Sequence, residues 1–478
     1  MQRYILIIGI FVWIFTNDGK NLTAQDIQDS ANIQCRADCS EILNIDKIRF
    51  LDIETAGRIA LMLNPSIAAA KERINQAQAR ISQAFSSYLP RLDANLSFSH
   101  IRLSDNEYQN SLQAAGTFDL NRRIDDSEDH YNAGLKAGWV LFDGFKRRFS
   151  LTAARCGEKE SKEALRDIHR LLLSAVSTSY YNAQLAWEKI IISRADKAFN
   201  KQKVDEAKAR RRMGTGSLSD ELNFEVQANA ADADLIRAEQ EYEVFMFGLA
   251  ALLGIPNARF PPKLKLAKLE HETEKELLTP MADLLIRYAN KYRPDIRQSH
   301  FALKRAYSDI GVKSADFYPV IELSAAINGN RVNNGYFEQD DFGSSISANF
   351  TYNLFAGGVN RAKLMESKFK AVEYEKNLEN LKITVTSEVL KAIAEVKAAQ
   401  KQLILQRSNA ILVKKNRELV EKEYAAGQTS LVRLNEAQRD MVRAKSRLAL
   451  ALVSLRKAWY NLKTSTAQIL VPFVDIRY

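Results

Sequence analysis

Four stretches of this chain alternate apolar and polar residues with a period of two. Leu92, Ala94, Leu96 and Phe98 alternate with Asp93, Asn95, Ser97 and Ser99, and Tyr131, Ala133, Leu135, Ala137, Trp139 and Leu141 with Asn132, Gly134, Lys136 and Gly138. Further on, Ile321, Leu323, Ala325 and Ile327 alternate with Glu322, Ser324 and Asn328, and Ile346, Ala348, Phe350, Tyr352 and Leu354 with Ser345, Ser347, Asn349 and Thr351. Successive side chains of a strand point to opposite faces, so each stretch predicts a strand of about ten residues, apolar on one side and polar on the other. Such strands fit a tilted transmembrane β-strand between lipid and a wet lumen, or equally a soluble two-sheet sandwich. Polar loops join them in pairs: Ile101 to His130, rich in Asp and Glu, and Gly329 to Asp341, with turn signals at Asn328-Gly329 and Asn334-Gly335.

The remainder reads as helix. After Gly427, apolar residues recur in steps of three and four through Leu431, Leu434, Ala437, Met441, Ala444, Leu448, Ala451, Leu455, Ala458 and Leu462, a heptad-like stripe with charge on the other faces. From Gly144 towards Gly214 a similar seam runs through Leu165, Ile168, Leu172, Ala175 and Ala186, interrupted by small or polar residues such as Ser179 and Asn182. About 65 helical residues at 1.5 Å each extend roughly 100 Å, a coiled-coil length. Both runs break where the chain must reverse, at Gly214-Thr-Gly216-Ser217 and at Gly427-Gln-Thr-Ser430. Glycine tolerates the left-handed conformation at a helix end, and the serine can cap the returning helix.

These elements come twice. Pro65 to Pro90 and Pro294 to Pro319 both span 25 residues; Leu141-Phe142-Asp143-Gly144 recurs as Leu354-Phe355-Ala356-Gly357; and Phe142 to Gly214 and Phe355 to Gly427 both span 72. Only the piece carrying the strands differs, 52 residues from Pro90 to Phe142 against 36 from Pro319 to Phe355. The expected division is a first repeat over 51–269 with its hairpin near 90–142, a second over 270–465 with its hairpin near 319–355, and a tail over 466–478. Ahead of these stand a signal peptide over 1–24 and an extension over 25–50.

Arg3 followed by the apolar run Tyr4 to Phe15 marks the targeting segment, twelve residues where a bilayer crossing needs about 20. Leu22-Thr23-Ala24 before Gln25 is the expected cleavage site, and an uncleaved anchor is the other reading. No lipid-attachment box is evident, because Asn32-Ile33-Gln34 before Cys35 lacks small residues. Cys35 and Cys39 fit a disulfide formed after export or two free thiols; Cys156 falls in a helical stretch. No other segment is apolar enough for a spanning helix, so an integral contact with membrane must be made by strands.

Composition narrows the picture. Nine prolines and 19 glycines in 478 residues favour long helices over a loop-rich enzyme. The formal charge of +10 is spread among interleaved acids and bases, as from Arg433 to Arg447, the pattern of a solvated helix face, and no nucleic-acid motif accompanies it. His100, His130, His169, His271 and His300 lack metal-ligand spacing, and Gly214-Thr-Gly216 lacks the strand that precedes a phosphate loop. The sequence therefore points to no catalytic site, no cofactor and no metal. Four strands cannot close a barrel, and an open sheet edge in hydrocarbon leaves backbone groups unsatisfied. Closure must come from other chains, most simply as a symmetric ring.

Several of these landmarks resemble the TolC-like outer-membrane efflux proteins: Leu51 to Ala56 running into Ala60-Leu-Met-Leu-Asn64-Pro65, the aromatic-x-Pro entries at Pro90 and Pro319, the Leu-Phe-x-Gly exits at Gly144 and Gly357, and Tyr424-Ala-Ala-Gly427 followed by Leu434-Asn-Glu-Ala437-Gln438. The resemblance implies a mixed α/β membrane protein: a homotrimer whose four strands per chain form one twelve-stranded barrel among the lipids of a Gram-negative outer membrane, continued by a long antiparallel α-helical coiled-coil barrel into the periplasm. It implies a passive exit duct for efflux or type I secretion, opened by a periplasmic adaptor (membrane fusion) protein and an inner-membrane RND-type or ABC-type transporter. It further places a periplasmic gate at the turns of Gly214 and Gly427, with a hydroxyl-carboxylate bond from Tyr424 to Asp220. The family's arginine partner is Thr429 here, and its two acidic ring positions are Arg433 and Glu436. A periplasmic coiled-coil adaptor or scaffold is the rival reading; it would carry one helical hairpin, where this chain has two.

Overall fold

The computed structural model describes residues 48–118 and 126–473. The signal segment and the Cys35/Cys39 pair lie outside the described residues. The two-residue strand β1 (Phe50–Leu51) leads into α1 (Ile53–Leu63), whose N-cap Asp52 accepts a hydrogen bond from the Thr55 backbone N–H. Asn64 ends α1 and caps α2 (Pro65–Ser86): proline at the first helical position has no N–H to satisfy, and the Asn64 carboxamide accepts from Ser66. Strand β2 (Arg91–Arg102) follows, then α3 (Asp105–Phe118) and β3 (Ser127–Phe142). Helix α4 (Lys146–Arg212) runs 67 residues, and α5 (Leu218–Leu252) returns over 35.

After a connecting strap over 253–281, which holds the two-residue strand β4 (Lys265–Leu266), the plan repeats. Helices α6 (Ala282–Tyr292) and α7 (Pro294–Ser314) meet at Arg293-Pro294; β5 (Val320–Val332) and β6 (Phe342–Thr351) form the second hairpin. Helix α8 (Val359–Ala425) again runs 67 residues and α9 (Leu431–Ser465) again 35. Each long helix of the second repeat starts 213 residues after its counterpart (359 − 146 and 431 − 218).

Three details depart from the sequence reading. The first interstrand loop contains helix α3, and β3 begins at Ser127 rather than Tyr131. Asn328-Gly329 lies inside β5, and the chain turns later, where Asn333 takes a positive φ of 60°; β6 ends at Thr351, leaving Tyr352 and Leu354 beyond it. The strap is not helix but short 3-10 turns with one parallel pairing, Phe50 with Lys265 and Leu51 with Leu266. Side chains of three long helices hold it through its backbone carbonyls. Gln184 donates to Ala267, Gln400 to Glu276 and Leu278, and Trp459 to Glu276.

The four long strands form one antiparallel sheet in the order β2-β3-β5-β6, so the pairing of β3 with β5 joins the two repeats. Register aligns like with like. Leu96 faces Ala133, Leu135 faces Ile327, Trp139 faces Leu323 and Phe350 faces Ile321, so the apolar residues of all four strands share one side. No described residue covers much of that side: Leu96 is 86% exposed, Ile346 81% and Phe350 67%. The edges β2 and β6 have no outer strand partner among the described residues.

Where sheet becomes helix, the Leu-Phe-Asp-Gly motif acts as a staple. Arg147 donates to the carbonyls of Val140 and Leu141 and pairs with Asp143 at 3.1 Å. Gly144 turns with a φ of +66°, and a Cβ there would stand 2.7 Å from the Ala315 carbonyl oxygen. The main core gathers Leu51, Ile59, Leu173, Val176, Leu249 and Leu253 at the level of the strap, and α8 adds a second through Val385, Val389 and Val396.

Candidate functional site

The two long helical hairpins reverse at Gly214 and Gly427, with φ of 75° and 74°. A Cβ would meet nothing within 4 Å at either, so the left-handed conformation rather than space requires glycine. Ser217 then accepts from the Ser219 N–H and Ser430 from the Arg433 N–H, capping α5 and α9. Beside these turns the hairpins pack through Phe199, Val204, Ala207, Phe224, Val420, Leu434 and Ala437, with Tyr424 at the margin.

Polar ties run through this small core. Lys203, on the seam of α4 and 6% exposed, reaches Glu206 on its own helix at 2.9 Å and Glu421 on α8 at 3.1 Å. Arg417 of α8 pairs with Glu421, lies 4.4 Å from the Phe199 ring centroid, and donates to Gln438 of α9; Gln438 donates in turn to Asp196 of α4 at 2.7 Å. Asn435 of α9 donates to Asn223 of α5. Burial pushes the Asp196 carboxyl above its usual range, and the Gln438 bond offsets part of that rise. Burial also raises Glu206, but its bonds to Lys203 and Gln202 outweigh it and leave that carboxyl below its usual range. Within the first hairpin Arg211 pairs with Glu221 at 2.9 Å and Lys208 with Glu225 at 2.8 Å.

The residues expected from sequence fall into place unevenly. Tyr424 and Asp220 come close enough that the Asp220 charge adds to burial in raising the tyrosine pKa, but no hydrogen bond joins them. The Tyr424 ring instead stands edge-on to Phe224, centroids 6.3 Å apart, with the Arg210 guanidinium 5.4 Å from its centroid. These ring contacts, an aromatic edge and a cation on the ring, are what hold Tyr424 in place of the expected bond. Arg433 and Glu436 are exposed on α9, one turn apart, opposite the buried Leu434. The ties at Lys203, Glu421, Arg417, Gln438 and Asp196 were not singled out from sequence. Lys203 carried a signal nonetheless: it occupies a seam position four residues from both Phe199 and Ala207, where a charge is costly unless paired.

The fold agrees with the comparison to known proteins. The sequence pattern of the outer membrane efflux protein family matches residues 57–255 and 285–468, one block in each repeat. The chain belongs to the outer membrane efflux protein family. Among its relatives, nodulation protein T of Rhizobium leguminosarum bv. viciae is 25% identical over 399 residues, covering 82% of this chain and 77% of the relative. The cation efflux system protein CusC of Escherichia coli K12 is 25% identical over 345 residues, 66% and 68% of the two chains. In three dimensions the chain superposes on the CmeC outer membrane channel of Campylobacter jejuni with a TM-score of 0.72 at 18% identity, over 87% and 85% of the two chains. The outer-membrane channel OprN gives 0.71 at 20% identity, over 87% and 89%. Family membership places the protein in the outer membrane and makes it an efflux protein. Among the described residues no helix is long and apolar enough to cross a membrane.

Proposed function

We propose that three copies of this chain close into one tube: a twelve-stranded barrel in the outer membrane continued by a ring of twelve long helices in the periplasm, serving as a passive exit duct. The observation that carries this reading is the uncovered apolar face of the open four-stranded sheet. Strand faces of that kind belong against lipid, and the free edges of β2 and β6 must pair for such a sheet to be stable there. Pairing β6 with β2 of the next copy closes the cylinder. Two copies would give eight strands, whose interior side chains fill; three give twelve and leave a lumen.

The helices support the same closure through their internal repeat. Helix α4 buries Arg170, Ser177, Ile192 and Phe199, and Arg170 and Phe199 do so against the second repeat: Arg170 donates to the Thr464 carbonyl, and Phe199 packs with Leu434 and Ala437. The counterparts 213 residues on are Ile383, Leu390, Leu405 and Leu412 of α8, all exposed. Likewise Ala449 and Tyr460 of α9 pack inward, Tyr460 against Tyr181 at 5.4 Å, while their counterparts Ile236 and Phe247 on α5 are exposed. The interface between repeats is thus half-used within a chain. Placing α8 against α5 and α2 of the next copy uses the other half.

In this assembly the helical tips form the periplasmic entrance, and the ties across Lys203, Glu421, Arg417, Gln438 and Asp196, with Tyr424 beside them, hold the hairpins together and keep it narrow. Family resemblance supplies the partners: a periplasmic adaptor docking on the tips and an inner-membrane RND-type or ABC-type transporter that provides the energy. The adaptor reading of the chain itself has no use for a lipid-suited sheet. Lys203→Met combined with Glu421→Gln will raise the conductance of the protein in planar bilayers several-fold. Asp220→Ala with Tyr424→Phe will raise it less, because no bond joins that pair. Unchanged conductance in the Lys203/Glu421 variant would remove these ties from the gate.

A further inference from the structure

Helix α9 has two unlike faces. Arg456 and Trp459 reach the strap at the waist of the molecule, Arg456 pairing with Glu276 at 3.0 Å and Trp459 donating to the Glu276 carbonyl. About five helical turns, or roughly 18 residues, towards the tip, the same side carries the buried Gln438 and Met441. On the opposite side Arg433, Glu436, Arg439, Asp440, Arg443 and Arg447 are all exposed. The strap must lie outside the tube, because three straps inside would fill the lumen. The opposite side of α9 therefore looks inward, near the narrow end.

That inward stripe has four arginines against two carboxylates. Asp440 is drawn to Arg443 at 3.9 Å, while Arg433, Arg439 and Arg447 make no ion pair among the described residues. Repeated by symmetry around a lumen with low-dielectric walls, these guanidinium groups form successive positive rings, and a ring of arginines favours anions. Resting on the channel reading above, we propose that the tunnel selects anionic cargo, molecules carrying carboxylate, phosphate or sulfonate groups, and that Arg433, Arg439 and Arg447 set this selectivity.

The test is the reversal potential of the wild-type protein in a planar bilayer under a potassium chloride gradient. Current steps that reverse near the chloride potential, with a preference that weakens as salt is raised, are the expected result. Arg433→Gln, Arg439→Gln and Arg447→Gln together should abolish the preference or turn it towards potassium. Their side chains are exposed, so assembly in detergent should match the wild type. Current steps that reverse near the potassium potential in the wild type overturn the selectivity and leave the channel standing. Absence of current steps from assembled protein overturns the channel reading itself. A triple variant that assembles and keeps full chloride preference removes these three arginines as its cause.

Discussion

Replacing Leu405 and Leu412 by aspartate will leave a folded chain that no longer assembles. Both side chains project from α8, 65% and 61% exposed, and belong to no core among the described residues. A monomer should tolerate the changes with little loss, as surface positions do. In the proposed ring the same two positions stand where Ile192 and Phe199 are buried in the first repeat. Each aspartate would there be a desolvated, unpaired charge costing several kcal/mol, once per interface, and three interfaces must form together. Light scattering of the purified protein in detergent should report three chains for the wild type and one for the variant, with helical circular dichroism unchanged. Trimers of the double variant would show that this face of α8 is not the contact.

The second large effect is on stability. Arg293, 3% exposed, pairs through Nε and Nη2 with Asp295 at 3.0 and 2.6 Å and through Nη1 with Glu388 at 2.6 Å, and Nη1 also donates to the Ser465 carbonyl. Arg170 of α4 approaches the same Asp295 at 3.9 Å, so one cluster ties α4, α7, α8 and the end of α9. Truncating one partner of a buried ion pair leaves the other charge without compensation and costs about 3–5 kcal/mol. Arg293→Ala should lower the unfolding free energy by about that amount, read from denaturant unfolding in detergent; a loss below about 1 kcal/mol would mean that water replaces the pair freely. The cluster also sets a pH dependence. Burial raises the Asp295 carboxyl, but Arg293 and then Arg170 outweigh burial and hold it below the usual range. A depressed folded-state pKa contributes stability that is complete above the unfolded aspartate value of about 4 and is lost as pH falls through the lower folded value. The wild type should therefore lose stability below about pH 4 more steeply than Arg293→Ala, in which the larger part of that contribution, from Arg293, is already gone.

Much of this architecture is legible in the sequence because it is periodic. Alternation with period two located all four long strands, since each has one face that must avoid water and one that need not. The scarcity of breakers between Gly144 and Gly214, and again between Gly357 and Gly427, set the length of α4 and α8, and the equal 72-residue spans tied them together. What escaped has no period. Helix α3 begins Asp105-Asn-Glu-Tyr-Gln-Asn, too polar to show an apolar stripe. The strap pairs over two residues only, and its hold on the helices depends on Gln184, Gln400 and Trp459 meeting particular carbonyls, which only the tertiary arrangement brings together. The tip ties escaped for the same reason. Asp196, Arg417 and Gln438 are unremarkable on their own helices and become a chain of bonds only when the two hairpins are laid side by side, bringing Gln438 to Asp196 across 242 residues of sequence.

The proposed lumen, gate and arginine rings all require a closed ring. Electron microscopy of the detergent-extracted protein measures it directly. Threefold particles are expected, each a tube longer than roughly 100 Å with a detergent belt around one end, the length that two 67-residue helices demand. Compact single-chain particles that stay dispersed without detergent would contradict the closed ring.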